Sequence, residues 1–183
     1  MSTKILPKWI YLNNIVLLKV SYKSNDNIFY ELLNLFKKNK AHLFYWHHED
    51  KHLLFSNIED IKKRLRRWNI ICYVIYNSNK IIGCIETHKD EKILNCCLLT
   101  FWIGKKNVRK GIMLNCLIAL EEIFIARNYN FLKAQVDVEN IPSIKLMKKL
   151  NFKKIYTDYL TSATKNGYTM CKYHTFEKEL IKR

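Results

Sequence analysis

Val108-Arg109-Lys110-Gly111-Ile112-Met113 opens the stretch that decides the fold, and Lys148-Lys149-Leu150-Asn151-Phe152 closes it. Ile112 to Arg127 reads as a helix. Met113, Leu117, Leu120 and Phe124 form one apolar stripe, Ile112, Cys116, Ala119 and Ile123 its neighbour, and Asn115 and Glu122 face away. Phe131 to Val138 reads as a strand. Asn140 then caps a shorter helix whose first turn tolerates Pro142, and Asn151 ends it in the left-handed conformation that glycine usually fills.

The order is glycine turn, helix, strand and capped helix. A helix N-terminus offers unpaired N–H donors and the positive end of the macrodipole, which together bind phosphate. Gly111 lets the backbone approach a pyrophosphate, while Arg109 and Lys110 add cationic groups. Leu99 to Gly104 supplies a strand edge with which the amides of a pantetheine arm would pair, and Asn140 is placed to donate to that arm. On spacing alone an ordinary strand-turn-helix accounts for the pattern about equally well.

Working outward, Ile15 to Val20 is a strand and Ile28 to Lys38 a helix with Ile28, Leu32, Leu35 and Phe36 on one face. Ile58 to Trp68 is a second helix, capped by Ser56 or Asn57, with Glu59 and Asp60 in its first turn. Ile70 to Tyr76 and Lys80 to His88 form a hairpin around Asn77-Ser78-Asn79, and Leu94 to Ile103 is a further strand. Phe152 to Tyr159 and Tyr168 to Phe176 are the last strands, joined through Lys165-Asn166-Gly167. The expected order is β-α-α-β-β-β-α-β-α-β-β. That is a single α/β (α+β) domain over 1–183, with 1–10 as an N-terminal extension.

At 183 residues one hydrophobic core suffices, and the apolar content of 49% marks a globular chain. No window reaches the 18 or so apolar residues of a membrane span, and Met1 to Trp9 lacks a secretory signal pattern. A soluble, cytoplasmic protein is the expectation. The six cysteines include no C-x-x-C pair and fall mostly in apolar runs, so they read as small hydrophobes, with no metal site. The net charge of +16 rests on 26 lysines among 32 basic residues, with clusters at 62–67 and 105–110. A/T-rich codon drift and selection for an anionic partner explain it equally well.

The element order, Phe101-Trp102-Ile103-Gly104 with Gly111-Ile112-Met113, and Asn140-Ile141-Pro142-Ser143 running to Phe152 resemble the GCN5-related N-acetyltransferase superfamily, nearest its ribosomal-protein (RimJ/RimL) type. Asn39-Lys40-Ala41-His42-Leu43 is similar to an N-terminal segment of that group. The resemblance implies a mixed, mostly antiparallel sheet of about six or seven strands flanked by about four helices, with acetyl-CoA as donor and a primary amine as acceptor. It implies a cofactor site at Phe101, Trp102, Ile103, Val108, Arg109, Lys110, Gly111, Ile112, Met113, Asn140 and Ser143. Val108 stands where that family carries Gln or Arg, so the loop relies on backbone N–H groups with Arg109 and Lys110.

For the transfer itself, backbone donors near Trp102 and Ile103 would hold the developing oxyanion. Met147 stands where many members carry a general-acid Tyr. Ser143 matches a hydroxyl implicated in protonating the thiolate, and serves equally as a helix-start hydrogen bonder. Asp158 and Glu86 are the candidate general bases. An α-amino group, with pKa near about 7.7–8, needs less help than a lysine amine near about 10.4. A basic surface disfavours polyamines, so the expected acceptor is the N-terminus of an acidic or ribosomal protein, with ribosome association possible.

The residues also fit two other readings. His48-Glu49-Asp50-Lys51-His52 matches H-E-x-x-H, but Asp50 and Lys51 charge positions that normally pack apolar, and no convincing third ligand follows. Basic residues interleaved with Trp46, Trp68, Phe101 and Trp102 fit a degenerate acetyltransferase that binds RNA or protein instead of catalysing.

Overall fold

The computed structural model describes residues 7–44, 57–67, 70–164 and 167–181. Its elements are β1 (Trp9–Leu12), β2 (Ile15–Val20), α1 (Asp26–Lys38), α2 (Lys40–Phe44), α3 (Ile58–Arg67), β3 (Ile71–Asn77), β4 (Lys80–Lys89), β5 (Cys96–Ile103), α4 (Ile112–Ala126), β6 (Phe131–Asp137), α5 (Ile141–Lys149), β7 (Lys153–Thr164) and β8 (Gly167–Glu179). The strands form one sheet in the order β1-β2-β3-β4-β5-β6-β8-β7. β5 and β6 run parallel, and the other neighbours are antiparallel.

Strand alternation sends side chains to opposite faces, and each face has its own core. On the first face Tyr73, Ile75, Ile85, Leu99, Leu132, Ala134, Val136 and Phe176 meet the buried stripe of α4 and Met147 of α5. On the second, Leu18, Val20, Cys72, Val74, Cys84 and Trp102 meet Phe29, Leu32 and Phe36 of α1 and Ile61 and Leu65 of α3. No residue of β6, β7 or β8 belongs to that second core among the described residues.

The α/β class and the order of the long elements agree with the sequence reading. Among the described residues there are eight strands and five α-helices, slightly more than the expected six or seven and four. The additions are short: β1 folds back on β2 through Asn13 at φ 52°, and α2 is a helix of five residues. Among the described residues, five of the seven non-glycine residues at positive φ are asparagines (Asn13, Asn79, Asn95, Asn128 and Asn151). Asparagine tolerates the left-handed region better than other side-chain-bearing residues, which is how a chain with four glycines makes these turns. Among the described residues no helix is long and apolar enough to cross a membrane.

Candidate active site

The site grows from a break in strand pairing. β5 pairs with β4 from Cys97 to Ile103, but with β6 only at Cys96, Cys97 and Leu98. Beyond Leu98 and Lys133 the two strands part. The Gly104 N–H donates to the Ile82 carbonyl at 2.8 Å, which fixes the alternation of β5. Trp102 and Thr100 therefore turn their backbone groups toward β4, while Phe101 and Ile103 turn theirs into the gap. On the other wall the Val138 N–H donates to the Lys172 carbonyl at 3.1 Å, so Gln135 turns its backbone groups and Asp137 its N–H into the gap from β6, the Asp137 carbonyl accepting from the Asn140 N–H at 3.0 Å. No strand among the described residues fills the opening. Buried backbone polar groups require partners, so these walls suit an extended chain of amides. Of the two residues expected to supply the oxyanion donor, Ile103 rather than Trp102 has its N–H on the open side.

The gap leads to the loop before α4. One 3-10 turn at Lys105–Asn107 is followed by Val108 in extended conformation. Arg109 at φ 61° and Gly111 at φ 74° are both left-handed. Such turns bring successive N–H groups into a concavity suited to anions. α4 starts at Gly111 with no side-chain cap bond and no acidic residue in its first turn, so its positive end is available. A Cβ at Gly111 would meet nothing within 4 Å; glycine is needed there for its φ, and the space beside it is open. Arg109 and Lys110 are exposed beside it, Val108 is half-buried, and Ile112 and Met113 anchor the helix in the first core.

Asn39, just past α1, holds this loop in place. Its Oδ1 accepts from the Lys105 N–H at 2.8 Å, and its Nδ2 donates to the Leu35 carbonyl at 2.8 Å. Burial and the Lys105 charge lower the pKa of the nearby His42. Gly83 is equally constrained, because a Cβ there would lie 2.4 Å from the Trp102 carbonyl oxygen. The Trp102 ring is buried against Phe36, edge to face at 6.0 Å, so it belongs to the second core.

At the far wall, Asn140 accepts from the Ser143 N–H at 3.2 Å and so caps α5; both residues are half-buried. The two carboxylates proposed from sequence are not brought together. Glu86 is buried on β4, its Oε2 accepting from Nε and Nη2 of Arg64 on α3 at 3.1 and 2.8 Å. Asp158 is exposed on β7, at the sheet edge, accepting from the Tyr159 N–H at 2.7 Å. β4 and β7 are four strand spacings apart, about 19 Å at roughly 4.8 Å each, so the two cannot serve one reacting centre.

Five of the six cysteines are buried. Burial pushes the Cys97 and Cys116 thiols up to about 12 and Cys96 to about 11, which makes them inert hydrophobes. Cys72, Cys84 and Glu86 have potential ligand atoms within 4.8 Å of one another, yet Glu86 already serves Arg64. The His48–His52 motif, Trp46 and Trp68 lie outside the described residues.

The sequence profile of the Acetyltransferase (GNAT) family matches residues 29–152, more than half of the chain. The chain belongs to the GNAT acetyltransferase family. It is an acetyltransferase whose donor is acetyl-CoA. No curated protein sequence matches it. Among solved structures it is similar to a ribosomal-protein-S5-alanine acetyltransferase from Vibrio fischeri, at 18% identity and TM-score 0.76, covering 94% of this chain and 96% of that one. It is also similar to an acetyltransferase from Salmonella typhimurium that modifies the N-terminal serine of ribosomal protein L7/L12, at 16% identity and TM-score 0.74, covering 93% and 97%. A microcin C7 self-immunity acetyltransferase, in complex with acetyl-CoA and AMP, gives 17% and 0.72, covering 92% and 93%. At such identities the likeness is one of fold.

The acetyltransferase site fits its donor on physical grounds. The turned N–H groups around Gly111 suit a pyrophosphate, and the polar wall of Phe101 and Ile103 suits the pantetheine amides. The sequence singled out the loop. It missed the Asn39 clamp, although that residue heads a segment noted for its resemblance.

Proposed function

We propose that this acetyltransferase modifies the α-amino group of an acidic or ribosome-associated protein. The observation that carries the reading is charge. The chain bears +16, with Lys63 and Arg66 exposed on α3, which covers the second face. A surface of that sign attracts acidic chains and repels polycations. An α-amine is also partly neutral near pH 7.5, because its pKa is about 7.7–8. Solved relatives of this fold include enzymes named for ribosomal proteins S5 and L7/L12, which supports the same class. In this reading the Ile103 N–H holds the oxyanion and the Ser143 hydroxyl returns a proton to the departing thiolate.

Intact-mass analysis after incubation with acetyl-CoA tests the assignment, using acidic peptides with free N-termini, the same peptides blocked at the N-terminus but carrying Lys, and spermidine. Acetylation of the free N-termini at least tenfold above the others is expected. A preference for spermidine or for lysine overturns it. For the RNA-binding alternative, Trp102 is a core side chain and Phe101 is half-buried, so Trp102 offers no free face for stacking a base.

A further inference from the structure

We propose that Asp137 is the proton acceptor of the transfer, the carboxylate that takes a proton from the incoming ammonium at the mouth of the β5–β6 gap. The inference rests on the amine-acetylation reading above. The last paired residues of the two strands are Leu98 and Lys133. Trp102 and Asp137 each lie four residues further on, about 13 Å at roughly 3.3 Å per residue. Asp137 thus stands level with Trp102 and Ile103, on the opposite wall from the Ile103 N–H.

Its face is also fixed. Leu132, Ala134 and Val136 enter the first core, so Asp137 points to the other face. Lys133, four residues before Asp137 and so of the same parity, confirms that face by pairing with Glu177 on β8 at 3.2 Å. On β2 to β5 this second face is closed by α1 and α3; no residue of β6 or β8 belongs to that core among the described residues, and Asp137 and its β8 neighbour Tyr173 are themselves buried. An amine arriving there meets the gap from the side opposite α4. Asp137 is 7% exposed, and one carboxylate oxygen accepts from the Glu139 N–H at 2.7 Å. That bond orients the group and leaves its other oxygen for the amine. Glu86, by contrast, is held by two guanidinium donors of Arg64 on its Oε2, and Asp158 is two strands away, beyond Tyr173.

The protons balance as follows. The ammonium gives one proton to Asp137, the neutral nitrogen forms its bond to the acetyl carbon, and the carbon–sulfur bond breaks. The second nitrogen proton goes to the thiolate by way of Ser143, and Asp137 then returns its own to solvent. The groups facing Asp137 are Tyr173 and, beyond it, Asp158 on the same face; Lys133 and Glu177, which are paired with each other; and Glu139. His174, on the other face of β8, feels the Asp137 charge across the sheet.

Asp137→Asn tests the role, because its amide oxygen still accepts the Glu139 N–H while the group can no longer take a proton. Acetyl-CoA affinity by calorimetry, and kcat and KM on an acidic peptide with a free α-amine, are measured from pH 6 to 9. The expected result is affinity within twofold of the parent and kcat lower by about 10²-fold or more. The acid limb of the kcat profile should also move up toward the ionisation of the free amine near about 8. A kcat within threefold of the parent with its acid limb unmoved overturns the proposal. So does loss of acetyl-CoA affinity in step with kcat, which marks a structural role. So does a Glu86→Gln variant that moves the acid limb while Asp137→Asn does not. A parent that acetylates no amine offered sinks the acetyltransfer reading itself, and the proposal with it.

Discussion

Replacing Arg64 by methionine should be among the most damaging single changes to this chain outside the first core. Arg64 and Glu86 form a two-bond ion pair whose side chains are 13% and 5% exposed. Glu86 sits on β4 beneath α3, so removing the guanidinium leaves a carboxylate without its counter-charge in a nearly dry site. Breaking such a pair from one side costs about 3–5 kcal/mol. At roughly 2–4 °C per kcal/mol for a chain of this size, the midpoint of thermal unfolding should fall by about 6–20 °C. Arg64→Met/Glu86→Leu removes both charges and should recover most of that loss, because an apolar pair of similar volume is often neutral or better. Urea unfolding of the parent, both single variants and the double variant closes the cycle. Single variants that each cost less than about 1 kcal/mol would mean that the pair is hydrated and contributes as a surface bridge. A double variant as unstable as Arg64→Met would refute the argument from stranded charge.

Gly83→Ala should destabilise the chain by about 1–3 kcal/mol by overpacking and weaken acetyl-CoA binding, since its Cβ would press on the Trp102 carbonyl just before the loop; parallel urea unfolding and calorimetry check both effects. An aromatic disulfide reagent at pH 8 should label the half-buried Cys171 quickly and the other five thiols only at the rate of unfolding, as followed by absorbance. His88 and His174 have pKa values lowered chiefly by burial, with Arg64 and Lys154 adding to the effect. Their folded pKa values lie below the unfolded value near 6.5, so the stability they contribute is present above that pH and lost as pH falls through the folded values. The unfolding midpoint should therefore drop between pH 7 and pH 5, and less steeply in His88→Gln, as read by circular dichroism.

The sequence was most legible where local chemistry and tertiary demand agree. On α4 the periodicity selects Ile112, Met113, Cys116, Leu117, Leu120 and Phe124, all buried. On α1 Leu32 and Phe36 are buried as expected, but Phe29 and Leu33 are buried too, while Ile28 and Leu35 are only half-buried. At α3 the Asn57 side chain accepts from the Asp60 N–H at 3.0 Å while Asp60 accepts from the Asn57 N–H at 3.3 Å, a reciprocal cap written in the residues themselves. β1 and α2 were missed because segments of four and five residues carry too little periodicity to register. In the site, Gly111 and the flanking cations announced the loop. The gap did not show, because it depends on where two strands stop pairing, and no property of Thr100 or Gln135 records that. Glu86 and Asp158 stood out as carboxylates, but a sequence does not reveal that one is bound to an arginine from α3 and the other lies on the outermost strand. Asp137 was hidden by the company it keeps, in a Val-Asp-Val-Glu-Asn run that reads as a strand end and a cap.

One small amide has a mechanical consequence. The Asn39 side chain grips the last turn of α1 with one end and the backbone of Lys105 with the other. The helix that roofs one chamber is thereby bolted to the rim of the next. Tilt the roof by an ångström and the bolt must either stretch or carry the rim along, so whatever leans on α1 also tugs on the loop that leads into α4.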